Sequence, residues 1–425
     1  MLSRDKADAK NTEIVGLLDI GTSKVACIIA ALDAPERPGE ARRVRVLGFA
    51  HLRSRGLKAG VITDLGEAEA TVRGAVAQAE RMAHLTLEEV FVAVSCGRLH
   101  SSNFAASVDV PGGVIRADDI DRLMAGAHAY AEREGRMLIH LNRVGFRVDG
   151  SPGGHDPRGM AASRLSADMH TVAADEAPVR NLMVVVERCY LSVRALIATP
   201  YASALAATTE EERRIGTVCI DIGGGTATAA AFVDGHFVHA ATVPVGGHHI
   251  TLDIAQALQT PLAEAERIKT LYGTTIVAQS DEYESFPFAL AGEEEGARGQ
   301  ATKAQLAGII RPRVAGILGL VRERLDKAGV LAFSGGRVVL TGGASGLVGL
   351  GEFAANTLGC PVRVSRPQPF EGMPQSVCSP AFSTVAGLLA VAASGNGEVP
   401  AVRSREVLAG GYLGRVGEWL RTGFA

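Results

Sequence analysis

Asp19-Ile20-Gly21-Thr22-Ser23-Lys24 and Asp221-Ile222-Gly223-Gly224-Gly225-Thr226 each combine the residue types that can hold a polyphosphate. In both, an aliphatic run ends in Asp, bends through Gly and a hydroxyl residue, and resumes as an apolar run (Val25 to Ala31; Ala227 to Val233). That pattern predicts a strand, a tight turn and a strand. Gly admits positive φ and carries no Cβ, so backbone N–H groups can converge on an anion. Thr22, Ser23 and Thr226 add hydroxyl donors, and Lys24 adds a cation unless it is a solvated lysine at a strand edge. A carboxylate does not take phosphate, but Asp19 and Asp221 can hold the water shell of a magnesium ion. Two such bends facing each other would grip a polyphosphate from both sides, as a nucleotide clamp does.

A third element fits the set. Val338-Val339-Leu340-Thr341-Gly342-Gly343-Ala344-Ser345 predicts a buried strand running into a Gly pair at a helix start. Gly342, Gly343 and Ser345 would let a ribose or a flat ring lie against bare backbone. Glu266 and Lys269, three apart, share one helix face. Taken alone they read as a surface ion pair.

These motifs need strands and helices to carry them, and the chain supplies both in alternation. Strands are expected at Val44 to Ala50 and Val90 to Cys96, with an amphipathic helix from Leu65 to His84 between them. Gly97 to Ala167 reads as turns and short strands around one helix (Ala117 to Gly135). A helix (Pro178 to Leu191) and a strand (Val193 to Thr199) lead to the second hairpin. Helices Thr251 to Leu258 and Pro261 to Tyr272, a long helix Thr302 to Ala328 and a last one from Pro380 to Ala393 follow. This alternation means an α/β fold, and two halves opening on the same hairpin suggest duplication. At 425 residues the chain is too long for one core.

A formal charge of −3 gives no reason to expect nucleic acid as a partner. The six cysteines are scattered without a Cys-x-x-Cys pair, which suits small core residues in a reducing compartment. The polar start lacks a signal peptide's apolar stretch, and no uncharged apolar run reaches spanning length, so neither export nor a membrane crossing is expected.

The three glycine elements, in this order, resemble the two phosphate motifs and the adenosine motif of the actin, sugar-kinase and DnaK-type chaperone superfamily. For Glu266 and Lys269 that resemblance implies an approach to ribose and adenine, as for the superfamily's Glu-x-x-Lys pair. Across nearly the whole chain the resemblance narrows to the FtsA family of bacterial divisome proteins. It rests on Gly16 to Lys24, Asp156-Pro157-Arg158-Gly159-Met160, Pro244-Val245-Gly246-Gly247-His248-His249-Ile250-Thr251, Ile309-Ile310-Arg311-Pro312-Arg313 and the terminal segment. The resemblance implies an actin-like two-lobed α/β fold with duplicated mixed-sheet domains, an inserted subdomain and a C-terminal amphipathic helix. Its expected divisions are 1–84, 168–205 and 376–393 for subdomain IA, and 85–167 for the insert, IC. Residues 206–250 and 331–375 would form IIA, 251–330 IIB, 394–410 a linker and 411–425 the terminal helix.

By that resemblance the chain would bind ATP with Mg, polymerise, and tether filaments of the tubulin homologue FtsZ to the inner face of the cytoplasmic membrane at the division site, with other divisome proteins as further partners. A metabolic kinase of the same superfamily is the alternative, but it needs a catalytic Asp and has no use for a terminal amphipath. The second phosphate motif departs from the family's pattern: it ends Thr226-Ala227-Thr228 without a second acid. The connector Thr199-Pro200-Tyr201-Ala202-Ser203 also lacks a carboxylate or amide to orient a water. Phosphoryl transfer to water needs a positioned nucleophile, so slow or negligible hydrolysis is expected.

Wound as a helix, the last residues place Tyr412, Leu413, Val416, Trp419, Leu420 and Phe424 on one arc and Arg415, Glu418, Arg421 and Thr422 on the other. Trp419, the only tryptophan, lies on the apolar face, as it does in interfacial helices. Docking on the protein's own domain is the alternative, yet the preceding linker of about 18 residues would reach on the order of 24 Å if flexible. Lys303, Arg311 and Arg313 on the long basic helix are, by the family resemblance, candidates for the acidic FtsZ tail; otherwise they form a solvated face. His248 and His249 read as cap residues rather than metal ligands.

Overall fold

The computed structural model describes residues 12–34, 42–292, 298–333 and 335–394. The first lobe opens with a meander of β1 (Thr12–Ile20), β2 (Lys24–Asp33) and β3 (Arg43–Arg53). Helix α1 (Leu65–Ala83), capped by the Asp64 carboxylate accepting from the Glu67 amide, returns the chain to β4 (Glu89–Val94), parallel to β1. An inserted unit follows: β5 (His100–Asp109), α2 (Ala117–Ala131), β6 (Arg136–Val148) and β7 (Arg164–Asp175). Then α3 (Glu176–Arg188), β8 (Ser192–Ala198) and α4 (Thr199–Ala207) complete the lobe.

After α5 (Glu210–Ile215), the second lobe repeats the plan with β9 (Thr217–Ile222), β10 (Ala227–Val233) and β11 (His236–Val243). Helices α6 (Gly247–Leu258) and α7 (Leu262–Tyr272), a hairpin of β12 (Ser285–Ala289) and β13 (Arg298–Thr302), and α8 (Lys303–Lys327) extend it. Strand β14 (Val338–Thr341), α9 (Leu350–Leu358) and β15 (Val362–Val364) finish its sheet, and α10 (Ser383–Ser394) ends the described chain.

The sheets have orders β3-β2-β1-β4-β8 and β11-β10-β9-β14-β15. In both, the first two pairings are antiparallel and the last two parallel. Identical order and polarity is the duplication that the twin hairpins led one to expect. One face of the second sheet (Val218, Ile220, Ala229, Ala231) packs under α6 and α8. Its other face (Cys219, Ala230, Phe232) joins the first lobe's core, so the lobes are welded along α4 and α10. There Gly387 of α10 lies so close to α4 that a Cβ would sit 1.7 Å from the Ala202 carbonyl oxygen. Only glycine permits that crossing.

Hydrogen bonding redraws the insert. It was expected over 85–167, with turns and short strands from Gly97 to Ala167, but the strand at 89–94 lies between β1 and β8 in the first lobe's sheet. Residues 168–175 in turn stay paired with β5 and β6 to the end of β7. The insert's strands are 10, 13 and 12 residues long. Arg, His and Ser interrupt them because one face packs on α2 and the other meets the lobes, which hides the two-residue alternation.

At that meeting, two histidines are fully enclosed. His140 Nε2 accepts from the Ala198 amide at 2.9 Å, and its Nδ1 has no hydrogen-bond partner among the described residues. His170 contacts the Ser101 hydroxyl at 2.7 Å and Asn142 at 3.4 Å, while Ser101 accepts from the Ala240 amide of β11 at 3.1 Å. The insert is thus stitched to the second lobe. Burial pushes both imidazoles down to about 3, with repulsion from His239 and His140 adding at His170.

Helix α8 has the length and hydropathy to cross a bilayer, but Leu306, Ile310, Val314, Leu318, Val321 and Leu325 are in the second lobe's core. All six cysteines are free thiols, and Cys27, Cys96 and Cys219 are buried. The linker from 395 onward and the terminal amphipath, with Tyr412, Leu413, Val416, Trp419, Leu420 and Phe424, lie outside the described residues.

Candidate functional site: two opposed glycine hairpins

The two predicted bends are the same object built twice. Each closes on one backbone bond of 2.9 Å, from the Gly21 amide to Lys24 O and from the Gly223 amide to Thr226 O. They face each other and touch. A Cβ on Gly224 would lie 1.8 Å from Ser23 Oγ, and one on Gly225 would lie 2.5 Å from Thr22 Oγ1. The first bend is held from behind, since Thr22 Oγ1 accepts from the Gly60 amide at 2.9 Å and Ser23 O from Ser54 at 3.0 Å. The second rests on Gly246-Gly247-His248: Gly223 O and Gly224 O accept from the Gly247 and His248 amides at 2.8 and 2.7 Å.

Asp19 and Asp221 end equivalent strands beneath the bends. Asp221 is 7% exposed, and its carboxylate accepts from the Ser203 and Thr384 hydroxyls. Asp19 is half-buried. Burial pushes Asp19 up to about 6; Lys24 opposes this and the Asp221 charge adds to it. Asp221 is likewise raised by burial, against the pull of Ser203, Lys24 and Thr384. Two enclosed carboxylates reluctant to ionise beside each other form a site that gains from a cation. Lys24 is not a solvated edge lysine. Its ammonium donates to Ala381 O and lies 4.8 Å over the Phe382 ring.

The third element meets the second bend. Gly342, at φ 89°, lies where a Cβ would be 2.2 Å from Asp221 Oδ1. Gly343 faces Ala381, and Ala344 lies against Gly247. Ser345 is directed inward, its hydroxyl donating to Gly342 O at 2.7 Å, so it shapes the turn instead of facing a ligand. Glu266 and Lys269 do pair, at 2.7 Å, but not as an isolated surface bridge. Lys269 Nζ also donates to Gly247 O at 3.2 Å and to Thr251 Oγ1 at 2.8 Å, which ties α7 to the glycine turn.

Thr384, Ala381 and Phe382 are not singled out in the sequence, and Ser203 and the Gly246-Gly247 turn appear there without a role in the site. Only the glycine pair had a signal in the sequence, since the others reach the site by tertiary packing. His249 acts as a cap, its Nδ1 accepting from the Gly246 amide at 3.2 Å.

Comparison with known proteins agrees with this architecture. The family model described as "Cell division protein FtsA" matches residues 218–387, and "SHS2 domain inserted in FTSA" matches residues 96–173. Cell division protein FtsA of Agrobacterium fabrum is 38% identical over 425 residues, covering 98% of this chain and 96% of that one. The chain belongs to the FtsA family of cell division proteins. The Rhizobium meliloti FtsA is 39% identical with the same coverages, and that of Escherichia coli K12 is 29% identical, covering 98% and 99%.

Among solved structures, a PilM-PilN type IV pilus biogenesis complex matches with a TM-score of 0.62 at 16% identity, over 88% of this chain and 97% of that one. MreB5 of Spiroplasma citri bound to ADP matches with a TM-score of 0.50 at 14% identity, over 89% and 95%. The fold is therefore actin-like.

Apart from the hairpins, this FtsA-family chain has a recess of about 350 Å³ on the insert, lined by Arg143, Phe146, His155, Asp156 and Arg158. The nominated tail-binding residues do not converge. Lys303 pairs with Glu284, Arg313 is held by Asp253 at 2.6 and 2.8 Å, and Arg311 turns to the Phe353 ring at 5.4 Å.

Proposed function

We propose that the chain is an ATP-binding, polymerising adaptor of cell division that attaches FtsZ filaments to the cytoplasmic face of the membrane, alongside other divisome proteins. The observation that carries this reading is the pair of matched hairpins, set tip to tip on two lobes over two enclosed aspartates. The amides of Thr22 and Ser23 and of Gly224 and Gly225, at the tips of the bends, would hold the phosphates, and Asp19 and Asp221 the waters of Mg. Gly342 and Gly343 would floor the adenosine, with Glu266 and Lys269 at its edge. Bound Mg-ATP supplies charge of both signs between the lobes. The chain's own part is to present backbone and hydroxyl donors to the phosphates and the two carboxylates to the hydrated cation. Slow or negligible hydrolysis belongs to the same proposal. Isothermal calorimetry with Mg-ATP tests the binding, and absence of heat would overturn the reading.

The terminal amphipath is the proposed membrane element. Each large apolar side chain contributes at most ~1.5–3 kcal/mol on insertion, so one helix holds a monomer loosely. A filament presenting many copies binds through high effective concentration, which couples self-assembly to attachment. Trp419→Glu is expected to remove liposome pelleting and to leave ATP affinity unaltered; undiminished pelleting would sink this mechanism.

For the FtsZ tail, Arg311 is the best placed of the three cations, because Lys303 and Arg313 are already paired with carboxylates. Arg311→Glu should weaken tail-peptide binding in fluorescence anisotropy by about fivefold or more, from loss of one exposed attraction and gain of a repulsion. An unaltered dissociation constant would strike Arg311 from the surface.

A further inference from the structure

One rung of the second sheet is polar from edge to centre. Thr242 on β11 faces Thr228 on β10, Thr228 faces Asp221 on β9, and Asp221 lies beside Thr341 on β14. Side chains directly across a ladder share a face about 5 Å apart. On this rung the face is the one turned to α4 and α10: Ser203 and Thr384 donate to Asp221, and Thr341 bonds Ser383 at 2.6 Å. The Thr228 and Thr242 hydroxyl oxygens, by contrast, are enclosed and have no hydrogen-bond partner among the described residues. Thr228 is only 2% exposed. A buried hydroxyl left unpaired costs about 1–3 kcal/mol, and here two adjacent ones are left so. Valine would fit the same strand positions at no such cost.

We propose that Thr228 and Thr242 together hold a buried water beside Asp221, and that this water joins the hydration shell of the cation bound with nucleotide. The inference rests on the nucleotide reading given above and deepens it. A buried water needs two to four polar partners. The two hydroxyls supply two, and a water of the Asp221-held cation supplies a third. Being neutral, the pair steadies the cation without adding charge. The strand that follows the second hairpin thereby senses the metal through hydrogen bonds.

The test is calorimetric affinity for ATP, with Mg and separately with EDTA, on the full chain and on Thr228→Val, Thr242→Val and Thr228→Ser. Each valine variant should lower affinity about five- to tenfold in Mg and leave it unchanged in EDTA, and Thr228→Ser should bind as the parent does. Unchanged affinity of both valine variants in Mg overturns the inference, as does an equal loss in Mg and EDTA, which would mark mere packing. Should Thr228→Val fail to fold, Thr242→Val and Thr228→Ser decide by the same criteria. If the parent chain binds no ATP in either condition, the nucleotide reading itself fails and the water shelf falls with it.

Discussion

Gly225→Val is expected to weaken ATP binding by roughly a hundredfold or more, which corresponds to about 3 kcal/mol. The reason is steric and local. Even a Cβ at this position would lie 2.5–2.9 Å from three Thr22 side-chain atoms, and Thr22 cannot swing away without giving up its bond from the Gly60 amide. With the lobes together the valine collides. With the lobes parted it fills the space that the converging N–H groups would offer to a phosphate. Gly319→Ala, on α8 with nothing within 4 Å of a Cβ, is the matched control and should bind as the parent does. Calorimetry on the two variants decides the matter: retained affinity in Gly225→Val would mean that phosphate does not pass between the bends.

Acid should destabilise the chain through His140 and His170, and the sign follows from their depressed values. Unfolded, each imidazole takes a proton near 6.5; folded, it does so only at about 3. Between those values the unfolded chain binds more protons, so stability falls as pH falls from 6.5 toward 3. At pH 5 each contributes a loss of about 2 kcal/mol, and the pair about 4 kcal/mol relative to pH 8. Asp19 works the other way. Raised to about 6, it takes a proton on folding and returns about 1 kcal/mol at pH 5, and Asp221 acts in the same sense.

Urea unfolding at pH 8 and pH 5 should show the net loss, and replacing both histidines with Gln should remove the imidazole part. Histidine proton shifts offer an independent readout, because both rings should stay neutral down to about pH 4. Imidazoles that titrate normally near 6.5 in the folded chain would refute the account. Since His140 and His170 join the insert to β8 and, through Ser101, to β11, acid is expected to loosen that seam first.

Legibility was uneven for physical reasons. The hairpins were readable because a tight turn between buried strands constrains residue type locally: Gly for the bend, Asp at the strand end, aliphatics on both sides. The third glycine element was readable on the same grounds. The insert's strands were not, because Arg136 to Val148 and His100 to Asp109 face different neighbours on their two sides and lose a simple alternation. The strand at 89–94 was expected, but its place between β1 and β8 was not, because no local pattern announces which strands will pair. Ser345 was read as a ligand contact from its place after a Gly pair, yet its hydroxyl is consumed by the turn it follows.

By itself, then, the sequence determined that this protein has two equivalent halves, each opening on a glycine bend with an acid at its base. Both are short-range facts, written in residues that are neighbours in the chain. Tertiary structure alone decided that the bends meet tip to tip, and that Ser203 and Thr384 reach Asp221 from helices 18 and 163 residues away in the chain. It also decided that Lys24 turns to Ala381 and that Arg311 and Arg313 part company. Those outcomes depend on how whole sheets and helices pack, where burial of apolar faces sets the geometry and polar side chains take the partners it leaves them.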